Sequence, residues 1–137
     1  MLKIRNTTLA AIILIGGMML FLASLAHYFI GFRIIREAMG NDGTGPEVSG
    51  LLNIIWIFSS VAMALLGIWG MFIGISIRKN LRYTKKQALS LGTGITLFGI
   101  YGFSSPFPNL HLGVFIVIGL FILIPGLFLS KKQGPYH

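Results

Sequence analysis

No Asp, Glu, Lys or Arg stands between Arg5 and Arg33, between Glu47 and Arg78, or between Lys86 and Lys131. These charge-free stretches constrain the fold more than any other feature. Each is filled with Leu, Ile, Val, Met, Phe, Ala and Gly. The last is divided by Ser105-Pro106-Phe107-Pro108-Asn109, a stiff uncharged turn. Residues 8–32, taken as a helix rising about 1.5 Å per residue, cover about 37 Å, more than a hydrocarbon core of about 30 Å. The pattern predicts an all-α integral membrane protein, a four-transmembrane-helix bundle with spans at about 8–32, 51–77, 87–104 and 110–129.

Composition supports this reading. Only 10% of residues are charged and 55% are apolar, and a soluble domain of 137 residues cannot hide so much hydrocarbon behind a polar exterior. The net charge of +8 does not point to nucleic acid, because the bases flank apolar runs and line no groove. With no cysteine, disulfides, thiolate nucleophiles and cysteine-ligated clusters are excluded. The apolar run from Leu9 to Ala26 is longer than the core of a cleaved signal, about 7 to 15 residues, and is expected to be a retained span.

Basic residues set the orientation. The stretch 78–86 holds Arg78, Lys79, Arg82, Lys85 and Lys86 and is expected to be a cytoplasmic loop. Lys3, Arg5, Lys131 and Lys132 fall on the same side, making nine of the 11 bases. Arg33 and Arg36 lie opposite, in an outer connection at 33–50 that carries all three acids, Glu37, Asp42 and Glu47. Both termini are therefore expected in the cytoplasm, in a multi-pass cell or inner membrane. Asn6-Thr7-Thr8 has the glycosylation pattern but falls on the inner side. In the outer connection, 32–39 can continue as an amphipathic helix before the Gly-rich run at 40–46 breaks it.

Small residues mark the expected packing faces. Ser60, Ala64, Gly67, Gly70 and Gly74 recur along one flank of the second span, and Ala88, Gly92 and Gly99 along the third. A short connection joins these two spans, so an antiparallel hairpin along both faces is the natural expectation. Contact with another chain is the alternative use. Trp56 and Trp69 resemble anchors at opposite interfaces, and Pro125 should loosen the last span near Phe121.

Candidate chemistry is sparse. His27 and His111 fall on the same predicted side and are the one pair able to ligate haem or hydrogen-bond a quinone. No metal site is expected, since further ligands are missing. The five bases at 78–86 serve topology, with contact to anionic lipid or an acidic partner as a second use. No catalytic set is recognisable, so the chain alone is not expected to be an enzyme. Three functions remain open: a non-catalytic subunit or accessory protein of a larger membrane assembly, a homo-oligomeric pore or small transporter, and a haem- or quinone-binding anchor using His27 and His111. The partners expected are lipids, other membrane subunits or further copies of the chain. In the pore reading Gly92, Thr93, Gly94 and Thr96 line the path, with Asn53 and Asn109 at its mouth.

Overall fold

The computed structural model describes residues 2–41, 43, 45–79, 84–104 and 112–129, for residues 2–5 and 41 as backbone alone. All regular elements among them are helical. Helix α1 (Leu2–Ala26) passes without a break into a π-helical turn (His27–Gly31), which leads into α2 (Phe32–Asn41). Helices α3 (Pro46–Arg78), α4 (Thr84–Phe103) and α5 (Gly113–Phe128) follow. Two stretches, Asn6–Gly40 and Pro46–Arg78, are long and apolar enough to cross a membrane.

The helices overrun several expected edges for local reasons. Pro46 opens α3, where a missing amide hydrogen costs nothing, and Glu47 sits in its first turn, where negative charge suits the helix dipole. That start lies five residues before the expected 51, and α2 holds the other side of the connection to Asn41. Gly43 makes the turn between them at φ +66°, a conformation open to glycine. At the opposite end Arg78 closes α3, while Lys85 and Lys86 lie in the first turn of α4. Of the five bases, Arg78, Lys85 and Lys86 thus lie in helix ends. Helix α5 runs through Pro125 as one element.

Packing departs from the expected hairpin between the second and third spans. The main pairs are α1 with α3 and α4 with α5, joined by α1 against α5, and α3 meets α4 only slightly. Close approach of Gly17 to Gly67 and Gly70 explains the first pair. A Cβ on Gly17 would stand 2.5 Å from the Met71 nitrogen, and one on Gly67 would stand 2.6 Å from the Phe21 nitrogen. Gly74 is a little less tight, with a Cβ there 2.9 Å from the Ala10 carbonyl oxygen and from Leu14 Cβ. The α4 face turns to α5 instead, with Gly92 against Leu123 and Gly99 against Ile116. The flank of α3 expected to receive α4 is therefore taken by α1. Ile13, Leu20, Ile73, Ile118 and Ile122 are fully buried and fill the centre.

The four rods differ in reach. Gly70 of α3 meets Leu91 of α4. From that crossing α3 runs on to Pro46, whereas α4 stops at Phe103, so α3 extends about 18 Å further at about 1.5 Å per residue. The turn at His27 lies toward this longer end.

Candidate functional site at the His27 turn

At His27 the regular i to i+4 ladder of α1 opens by one residue. The Phe32 amide donates to the His27 carbonyl, five positions back. Such π-bulges widen a helix locally and recur at functional sites. A second donor reaches the same carbonyl: Trp56 Nε1–H of α3, at 2.9 Å. The indole also lies flat on the imidazole, with ring centroids 3.9 Å apart and planes inclined by 14°. Gly31 makes room for it, because a Cβ there would come within 2.6 Å of Trp56 Cζ2.

The polar lining continues on both helices. On α1, Ser24 precedes His27 by three positions, is buried, and donates to the Phe21 carbonyl at 2.6 Å. On α3, Asn53, Trp56 and Ser60 stand at three- and four-residue steps, hence along one flank. Ser60 Oγ–H donates to the Trp56 carbonyl at 3.0 Å. Donating backward in this way leaves the hydroxyl lone pairs of both serines as acceptors. His27 Nε2 and Asn53 Oδ1 are buried and have no hydrogen-bond partner, a state shared among the described residues by Asn6 Oδ1.

The pairing of His27 with His111 falls partly outside the described residues, since His111 is not among them, and neither are Arg82 and Asn109. No group of three or more His, Cys, Asp or Glu able to hold a metal occurs among the described residues. Arg78, Lys79 and Lys86 are exposed. Lys85 is half-buried and donates to the carbonyls of Leu127 and Leu129 at 3.0 and 2.9 Å, so it closes the end of α5. Of the small residues, Ser60, Gly67, Gly70 and Gly74 are buried on α3, and Ala88, Gly92 and Gly99 on α4, while Ala64 is half-buried. Gly92 and Thr96, expected to line a pore, are buried, with Thr96 Oγ1–H donating to the Gly92 carbonyl at 2.8 Å. Thr93 and Gly94 face outward.

Sequence reading alone did not anticipate that Trp56 belongs with His27, nor the role of Gly31. The available signal was a glycine four positions after the one histidine of a long apolar run. Compared with known protein families, curated proteins and solved structures, the chain matches none of them.

Proposed function

We propose that the chain is a four-span membrane protein with its basic end in the cytoplasm, acting as a non-catalytic subunit or accessory protein of a larger membrane assembly. One observation carries this: α3 holds its apolar side chains outward along its length. Ile54 is 67% exposed, Phe58 72%, Leu65 62% and Phe72 61%, with no charge between Glu47 and Arg78. Contiguous apolar surface on that scale belongs against lipid or another protein.

The packed centre adds to this reading. Buried isoleucines occupy the middle of the bundle, which favours a scaffold over a conduit through one copy. Ion- or proton-coupled transport ordinarily places an Asp, Glu, Lys or Arg inside the span, and the four expected spans have none of these. The small faces are used within the chain, so a partner would meet the bulkier exterior of α3.

Gentle solubilisation at native expression tests the proposal. Stable co-purification with other integral membrane proteins is the expected result. A chain that stays alone and monomeric in mild detergent and in nanodiscs would overturn it.

A further inference from the structure

We propose that His27, Trp56 and Asn53 form a receiving site for the headgroup of a membrane-soluble quinone. The proposal rests on the membrane placement above, not on the subunit role. It also leaves His111 out.

Buried polar atoms in folded proteins nearly always have a hydrogen-bond partner, and each exception asks for an explanation. Two of the three exceptions among the described residues, His27 Nε2 and Asn53 Oδ1, belong to residues next to Trp56, one stacked on its ring and one a helical turn before it on α3. Trp56 is stacked on His27 at 3.9 Å, and Asn53 precedes Trp56 by three positions on its flank. The chemistry of the pair narrows the ligand. A neutral imidazole offers Nε2 as donor or acceptor according to its tautomer, and an amide oxygen only accepts. An anion is disfavoured by the amide lone pairs. The ester carbonyls of a choline phospholipid bring acceptors alone and its headgroup brings no donor, which leaves Asn53 unsatisfied. A quinone in its hydroquinone form brings hydroxyl hydrogens and oxygen acceptors on one neutral, flat ring, suited to a site walled by aromatic planes.

The position fits as well. Tryptophan with a polar edge favours the membrane–water boundary, where the headgroup of such a lipid can reach hydrogen-bonding groups. His27 is half-buried although its Nε2 is covered, so a headgroup must part the α1–α3 seam to reach it. The π-turn is where α1 can yield, since its ladder is already opened there and Gly31 adds no side chain. Only binding is proposed, with no electron transfer.

The test uses the full-length protein in detergent with Trp69→Phe, which leaves Trp56 as its single tryptophan. Quinones quench indole emission on contact. Titration with a short-tailed benzoquinone and with its reduced hydroquinone should give saturable quenching or a saturable emission shift. His27→Phe keeps a flat ring but no nitrogen, and Asn53→Leu removes the acceptor. Each should weaken half-saturation about tenfold, the effect of one hydrogen bond. Circular dichroism confirms that each variant folds, and should one fail to fold the other decides. Linear, non-saturating quenching that is equal in parent and variants would overturn the proposal. So would saturation by short-chain phosphatidylcholine with no response to either quinone form.

Discussion

Lys85 in the first turn of α4 donates from Nζ to the Leu129 carbonyl at the end of α5, at 2.9 Å. A second bond from the same ammonium reaches Leu127 at 3.0 Å. The last carbonyls of a helix have no intrahelical partner and carry partial negative charge, so a cation there serves as donor and counter-charge together. A residue that the sequence presents as one of five loop bases is thus a clamp between two helix ends.

Lys85→Met should therefore destabilise the bundle by about 1 to 2 kcal/mol, the range for losing charge-assisted hydrogen bonds that are partly open to solvent. Lys86→Met, on an exposed neighbour, should change stability by less than about 0.5 kcal/mol. Thermal unfolding in a fixed detergent compares them. Equal effects from both substitutions would show that charge near the membrane matters, not the clamp.

Glycines should divide into two groups by the space around them. Gly67→Ala places a methyl group about 2.6 Å from the backbone nitrogen of Phe21, so α1 and α3 must separate. Overpacking of this kind costs about 1 to 3 kcal/mol. A Cβ on Gly94 meets nothing within 4 Å, and Gly94→Ala should be neutral or slightly stabilising. A melting temperature unchanged by Gly67→Ala would contradict the observed α1–α3 approach.

The His27 turn makes a graded prediction. Gly31→Ala drives Cβ into the indole at 2.6 Å and should push Trp56 off the imidazole. Trp56→Phe keeps an aromatic ring but loses the bond to the His27 carbonyl, at a cost of about 1 kcal/mol. In a Trp69→Phe background, the emission of Trp56 should shift on Gly31→Ala. An emission spectrum identical to the parent's would mean that the ring was never seated over Gly31.

Orientation can be read with single cysteines, because the chain has none of its own. Gly43→Cys and Lys86→Cys both place a thiol at exposed positions. In sealed cells a membrane-impermeant maleimide should label the first and spare the second until the cells are opened. Labelling of both in sealed cells would refute the four-span topology, and the reverse pattern would invert it.

The helical character and the importance of the glycines were legible in the sequence, because long charge-free runs and small residues at three- and four-residue steps have few other uses. The partners of those glycines were not. Gly70 and Gly74 announce that a backbone comes close, but they do not say which one. The short connection after Arg78 suggested α4, whereas Gly17 supplies the smaller surface and α1 takes the place. His27 stood out as a polar exception, yet its pairing with Trp56 spans 29 positions and leaves no periodic trace. Tryptophan in such a run reads first as a lipid anchor. The π-turn has no residue signature of its own, since its wider hydrogen bonds are settled by what packs against it.

Unequal helix lengths carry a consequence for the surrounding lipid. By rise per residue, the 33 residues of α3 reach about 50 Å, while the 20 of α4 and the 16 of α5 reach about 30 and 24 Å. Embedded in a bilayer, one flank asks for a thick hydrocarbon layer and the other for a thin one. The leaflet beside α4 and α5 must dip, or these helices must stand upright while α3 leans, each adjustment costing a fraction of a kcal/mol per ångström. On the proposed membrane placement, such a bundle would tilt the thickness of its own annulus and favour the seam between thin and thick membrane, or a neighbour whose helices have the opposite imbalance.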